Sequence, residues 1–203
     1  GTAGATVAHG LNANVALYFI KNRSNAADWA VLGHALNDAF GGSNKFVLLN
    51  STAAAGTAAQ GPGDTSTIEL YSDATNNTNG DDYIAYCFAS VEGYSAFGSY
   101  TGNGSAEGPY VYTGFRPQFV MIKNATATAK WVIQDTTRSR YNPEVASLYP
   151  DSNIAEYTGA LHVVDYLSNG FKVRSTDAIF NSNAQTYFYA AFASHPFKTA
   201  RAR

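Results

Sequence analysis

Charge is scarce in this 203-residue chain: Asp, Glu, Lys and Arg make up 14% of it, against roughly 25% in an average soluble domain. The formal net charge of −2 leaves no broad basic face for a phosphate backbone, so nucleic acid is not an expected partner. The one basic cluster, Lys198, Arg201 and Arg203, reads as a solvated terminus. Cysteine is almost absent. The single Cys87, inside the apolar run Tyr83-Ile84-Ala85-Tyr86-Cys87-Phe88-Ala89, excludes an internal disulfide framework and a cysteine-based zinc site, and reads as a small buried hydrophobe. No segment approaches the roughly 20 consecutive apolar residues that cross a bilayer, so membrane insertion is not expected. The chain opens with neither an initiating Met nor a basic, apolar and small-residue leader, which predicts a processed product or a piece of something longer.

What is plentiful is aromatic. Phe, Trp and Tyr account for 14% of the residues, with 14 Tyr and 12 Phe, and Gly contributes 18. Many aromatics and turn formers with few charges favour strands over helical bundles. The same balance argues against disorder, because there is enough apolar surface to offset chain entropy.

The chain also aligns with itself. Phe19-Ile20-Lys21-Asn22 recurs as Met121-Ile122-Lys123-Asn124, and Trp29 as Trp131, 102 residues on. The apolar run at 83–90 recurs as Tyr187-Phe188-Tyr189-Ala190-Ala191-Phe192-Ala193-Ser194, 104 residues on. His9-Gly10-Leu11 faces Thr113-Gly114-Phe115 at the same spacing, and Asn77-Thr78-Asn79 faces Asn181-Ser182-Asn183. Aromatic, Asn and Trp positions matching in order predict two diverged tandem repeats, residues 1–98 and 99–203. Gly1-Thr2-Ala3 lines up with Gly104-Ser105-Ala106, which in the second copy follows the strand-like 97–103. The expectation is that residues upstream of Gly1 supply the first copy's equivalent; otherwise that unit leaves a sheet edge open or borrows a strand.

Strand signals fall at 15–22, 29–32, 45–49, 67–71 and 83–89, then at 110–113, 119–123, 130–134, 161–167, 171–174 and 186–193. Ser168-Asn169-Gly170 joins the ninth and tenth of these, and Asn-Gly tolerates the positive φ of tight hairpins. Residues 83–89 and 186–193 are apolar on both alternating faces, which predicts equivalent central strands covered on both sides. Residues 51–63, rich in Ala, Gly and Thr, read as a surface loop rather than a helix. The fold class is all-β, a β-sandwich or jelly roll. Each unit could close its own sandwich, or the two could share one.

Catalytic constellations are missing. His9, His34, His162 and His195 show neither HxxxH nor HxH spacing. Gly93-Tyr94-Ser95-Ala96-Phe97-Gly98 misses a nucleophile elbow by one residue and has no following helix. Gly102-Asn103-Gly104 lies between strands, where its glycines are turn formers rather than a phosphate cradle. Asp81 and Asp82 are adjacent, so on a strand they point to opposite faces, unlike a glycosidase pair. Glu92 and Glu107 have no visible partner. Asp73, Asn76, Asn77, Asp81 and Asp82 form an oxygen-rich loop that departs from the EF-hand spacing and reads more simply as Asx turns. Asp135 and Arg138 are placed to pair across a turn, and Lys21 and Lys123 to sit where their strands exit to solvent. The expectation is no enzyme, no cofactor and no metal.

Several segments together resemble a repeat domain of bacteriophage virion proteins. They are residues 83–89, Glu92-Gly93-Tyr94-Ser95, the stretch 97–105, Tyr112-Thr113-Gly114-Phe115-Arg116-Pro117, Leu167-Ser168-Asn169-Gly170-Phe171-Lys172, and the close 193–203 with Pro196-Phe197-Lys198. The pattern is similar to the C-terminal region of tail-fibre-like proteins from aquatic phages. The first unit departs from it: Asn12-Ala13-Asn14-Val15 stands where the second has Arg116-Pro117-Gln118. The resemblance implies a virion-surface location and a lectin-like sandwich. It implies a receptor-binding module for host surface glycan, with a purely structural decoration or fibre-shaft domain, or a polysaccharide depolymerase, as alternatives. Partners would be further copies of the chain, as a homo-oligomer, and other virion proteins. Sugar sites place aromatic faces beside polar and cationic side chains. The candidates are Trp29, Trp131, Tyr94, Tyr100, Tyr112 and Arg116, the last able to pair with an acidic sugar. For both Trp residues a core anchor is the competing reading.

Overall fold

A computed structural model describes residues 1–59 and 61–194; His195, Lys198, Arg201, Arg203 and the end of the phage-like pattern lie outside the described residues. The runs of β-branched and aromatic residues form strands. The first half carries β1 (Ala5–Ala8), β2 (Leu17–Asn22), β3 (Ala30–Leu32), helix α1 (His34–Phe40), β4 (Lys45–Leu48), β5 (Gly56–Thr57), β6 (Thr67–Leu70) and β7 (Tyr83–Phe88). The second carries β8 (Ser95–Thr101), β9 (Tyr110–Tyr112), β10 (Pro117–Asn124), β11 (Trp131–Asp135), β12 (Val164–Leu167), β13 (Gly170–Val173), the one-turn helix α2 (Ala178–Asn181) and β14 (Thr186–Ala193).

The protein is an all-β sandwich. Its antiparallel sheets run β1-β6, β5-β4-β3-β2-β7, β11-β10-β14-β8 and β12-β13-β9. Each half closes its own sandwich. Val15, Tyr18, Ile20 and Ile68 pack between the first two sheets, and Val120, Ile122, Phe171 and Tyr187 between the last two. The halves also share a third core, in which Leu17, Val31, Leu36 and Val47 of the first meet Met121, Trp131, Phe188 and Ala190 of the second.

Strand pairing follows the sequence offsets. Phe19 lies between Tyr86 and Val31, and Met121 lies between Ala190 and Ile133. Val7 faces Ile68 in β1–β6 as Val111 faces Phe171 in β9–β13. The hydrogen bonds repeat as well. Tyr83 Oη donates to Ala74 O, and Tyr187 Oη to Ala178 O. The proposed boundary between residues 98 and 99 falls inside β8, whose residues from Ser95 to Thr101 all pair with β14. The link between the halves is therefore 89–94.

Four expectations need correction. The pair of equivalent central strands is half right. β14 is central, between β10 and β8, but β7 ends its sheet, and Ala85 and Tyr86 are exposed. Second, Gly170 is not a turn residue. Leu167 pairs with Gly170 across the two-residue loop Ser168-Asn169, and neither Asn169 nor Gly170 has positive φ. A Cβ on Gly170 would stand 2.1 Å from Val111 O, so the glycine is there to let β9 approach. Third, α1 was not foreseen. Its seven residues are too few for a helical period to show. Ala35 and Leu36 anchor it in the shared core, and Gly41 ends it at φ 60°. Residues 51–59 form a loop as expected, interrupted only by β5.

The fourth concerns the paired lysines. Lys21 is half-buried and donates to Asn22 O at 2.9 Å and Ala27 O at 3.0 Å. Lys123 does not exit to solvent: it is fully buried, because the first half's 51–52 loop closes over it. Its Nζ donates to Ser51 O, Thr52 O and Ala129 O. Burial pushes Lys123 down to about 8, opposed by the charge of Asp151. A lysine whose folded value lies below its unfolded value weakens the fold while it is protonated. That penalty lifts as pH rises from the folded value toward the unfolded one, roughly 10.4. The free energy of unfolding is expected to rise between pH 8 and 10. Above that, Tyr100 and Tyr166, which burial holds well above their ordinary value, turn the slope negative. Urea titrations at stepped pH check this: Lys123→Met should lack the rise, and an equal rise in both proteins refutes the assignment.

Candidate functional site

Alternation on β9 sends Val111 into the core and Tyr110 and Tyr112 outward, 46% and 67% exposed. The neighbouring strands continue this outer face. Tyr110 lies beside Lys172, which lies beside Asp165; Tyr112 lies beside Gly170, which lies beside Leu167. Because Gly170 has no side chain, the Tyr110 ring can lie across the sheet, and its Oη donates to Asn169 Oδ1 at 2.7 Å. A Cβ on Gly170 would stand 3.0 Å from that hydroxyl oxygen. The result is two outward tyrosines on one strand, the Tyr110 ring covering the buried Gly170 and Tyr112 standing free beside it.

A charged rim borders the tyrosines. Lys172 Nζ donates to Glu107 Oε2 at 2.8 Å, and Arg174 bridges Glu107 Oε1 at 3.2 Å and Asp165 Oδ2 at 3.1 Å. The hydrogen bond from Lys172, with the charge of Arg174, holds the Glu107 carboxyl below its ordinary value. All four groups keep some exposure, so the ladder is solvated and adds little to stability. Next to it, Ala106, Pro143, Val163, Asp165 and Arg174 line an open hollow of about 320 Å³. Flat aromatic area, a cationic and anionic rim and an adjoining hollow on one rigid sheet are the elements that recognise a polar ring such as a sugar.

Of the six candidates from the sequence, only Tyr112 lies on this face. Arg116 is exposed just before β10, beyond the turn at 113–115. Tyr100 is buried, stacks on Tyr187 at 5.1 Å and donates its hydroxyl to Phe180 O at 2.8 Å. Tyr94 is half-buried, edge-to-face with Phe192. Trp131 is fully buried, with Nε1 donating to Leu48 O at 2.8 Å. Tyr100 and Trp131 offer no free ring face; for Trp131 the core reading holds. Trp29 is half-buried and stacked on the exposed Tyr86, centroids 6.5 Å apart, well away in sequence from the tyrosine face. Tyr110, Lys172 and Arg174 were missed, although Tyr110-Val111-Tyr112 and Lys172-Val173-Arg174 both show the two-residue alternation. The first half has no such face, since Thr6 and Ala8 occupy the places of Tyr110 and Tyr112.

The polar loops elsewhere are occupied by the chain's own bonds. Asp73 Oδ1 accepts from the main-chain N–H of Thr75 and Asn76, an Asx turn. Asp81 is held by Asn22 and Asn25, and Asp135 by Arg138 across its turn at 2.6 Å. Among the described residues no group of three or more His, Cys, Asp and Glu side chains is arranged to hold a metal. No helix among the described residues is long and apolar enough to cross a membrane.

No curated protein and no solved structure matches the chain. One family model does, over residues 1–196, which takes in both halves, their shared core and the tyrosine face. The chain belongs to the family described as Domain of unknown function (DUF7483).

Proposed function

We propose that this chain is a glycan-binding module of a virion-surface protein of the phage tail-fibre type, with the outer face of β9, β13 and β12 as its binding surface. One observation carries the reading: Tyr110 and Tyr112 project to the same outer face of β9, beside the charged side chains of β13 and β12. Exposed aromatic pairs of this kind supply apolar area for stacking at little conformational cost. Lys172, Arg174 and Asp165 supply donors and acceptors for hydroxyl or carboxylate groups. The module acts by adhesion, without catalysis or cofactor, and in copies arranged around a symmetric appendage, where weak sites add through avidity.

Binding to host cells or an immobilised glycan panel tests it. Tyr110→Ala with Tyr112→Ala is expected to weaken saturable binding by about tenfold to a hundredfold, with the fold retained and a loss of about 1 kcal/mol from the Tyr110 contact with Asn169. No saturable binding by the unaltered chain, or binding unaffected by the double change, overturns the assignment. Release of reducing ends would instead indicate a depolymerase.

A further inference from the structure

The two halves differ at one sheet edge. In the second half β14 is flanked by β10 and β8; in the first, β7 is flanked by β2 alone. Asp82 O and Phe88 O accept from Arg23 N and Ala16 N on the β2 side. By antiparallel alternation the N–H and C=O groups of Tyr83, Ala85 and Cys87 therefore point to the open edge. Their counterparts Tyr187, Tyr189 and Ala191 pair with Tyr100, Gly98 and Ala96 of β8.

β8 also ends its sheet, with α1 packed against it, and three other edges are short or bridged. β5 has two residues, while Leu148 bridges to Ile133 of β11 and Glu144 to Val164 of β12. β7 has six residues, Tyr-Ile-Ala-Tyr-Cys-Phe, with neither the charge nor the proline that blunts a free edge. Burial records the same gap. Ala85 is exposed and Cys87 half-buried, whereas Tyr189 is 7% and Ala191 0% exposed.

We propose that β7 is a docking edge for one extended, uncharged polypeptide strand with the side-chain pattern of β8, Ser-Ala-Phe-Gly-Ser-Tyr-Thr, added antiparallel in the register that β8 adopts on β14. The occupied edge of the second half specifies that occupant. A small residue fits opposite Ala85, where Gly98 stands opposite Tyr189, and an aromatic ring stacks on Tyr83 as Tyr100 stacks on Tyr187. Main-chain bonds supply the affinity and the ring supplies the register.

The probe is a fluorescent peptide of residues 93–102 (Gly-Tyr-Ser-Ala-Phe-Gly-Ser-Tyr-Thr-Gly), titrated onto the full chain by anisotropy. The alkylation rate of the single Cys87 serves as a local readout. Saturable binding is expected, with Cys87 alkylation slowed about tenfold or more at saturation and a scrambled peptide inert. Ala85→Pro removes an edge-facing donor without touching the β2 pairing and should abolish binding at an unchanged melting temperature. If that variant is itself unstable, Ala85→Lys places a charge on an exposed position and should block docking equally. No binding, or binding that leaves Cys87 alkylation unchanged or survives Ala85→Lys, overturns the proposal. So does a dimer that Ala85→Lys dissociates, since the occupant would then be a second β7.

Discussion

Replacing Trp131 by alanine is expected to lower the free energy of unfolding by about 3–5 kcal/mol, while the same change at Trp29 should lower it by about 1–2 kcal/mol. The two residues stand 102 positions apart at matching places in the sequence, so the difference isolates their surroundings. Trp131 is fully enclosed where the halves meet, beside Leu17, Val31 and Val47 of the first half and Phe188 of the second. Its loss empties a large volume that strands from two sheets cannot close by small shifts. It also strips Leu48 O of the indole N–H that reaches it at 2.8 Å. Trp131→Phe separates the two contributions, since it keeps most of the apolar contact and forfeits the hydrogen bond; about 1 kcal/mol is expected from that bond, because Leu48 O still accepts from Ser51 N. Trp29 is half-buried against Tyr86, itself 47% exposed, so water fills the space that its removal creates. Urea unfolding of the three variants provides the comparison. A near-neutral Trp131→Ala, or losses at Trp29 and Trp131 of equal size, would sink this account of the shared core.

That contrast also marks what the sequence could convey. Strand positions were legible, because alternation is a local signal, and the pairing registers of β2 and β10 match the sequence offsets. Neighbours were not legible. Residues 83–88 and 187–192 show the same apolar pattern, yet one is an edge and the other a centre, because only β14 has β8 beside it. Lys21 and Lys123 are equivalent in sequence, and Lys123 alone is sealed in, because a loop from the other half lies over it. The binding face was half legible. Tyr112 was picked out, while Tyr110 was passed over although the same alternation exposes it. The rim beside it depends on Glu107 meeting Lys172 and Arg174 across a long stretch of chain, which no local spacing encodes. Tyr100 looked like a surface ring beside glycines. The glycines instead allow close approach: a Cβ on Gly102 would stand 2.2 Å from Ser182 O.

The second large effect is expected at Asn124, where alanine should cost about 2–4 kcal/mol, against about 1–2 kcal/mol at its counterpart Asn22. Both side chains tie three segments together with the same set of bonds. Asn124 Oδ1 accepts from Thr126 N and Ala127 N, and its Nδ2 donates to Ala178 O, Gln185 Oε1 and Tyr187 Oη. Asn22 Oδ1 accepts from Ser24 N and Asn25 N, and its Nδ2 donates to Ala74 O, Asp81 Oδ2 and Tyr83 Oη. Each clamps the turn after its strand to the segment that leads into the last strand of its half. The clamps differ in what lies around them. Tyr187 is fully buried, so removing Asn124 leaves polar groups that water reaches poorly. Tyr83, Asp81 and the 74–82 loop are partly solvated, so water replaces much of what Asn22 gave. Aspartate sharpens the comparison, because it keeps the accepting oxygen and loses the donors. At position 22 it would set a second carboxylate against Asp81, whose carboxyl is now held below its ordinary value chiefly by the Asn22 amide. Asn22→Asp is therefore expected to destabilise more than Asn22→Ala at neutral pH and to recover part of the loss as acid protonates the pair. Denaturation of the four variants at pH 7 and pH 4 decides it. A loss at Asn22 as large as that at Asn124, or an Asn22→Asp penalty that acid leaves unchanged, would show that burial and charge do not set the strength of these clamps.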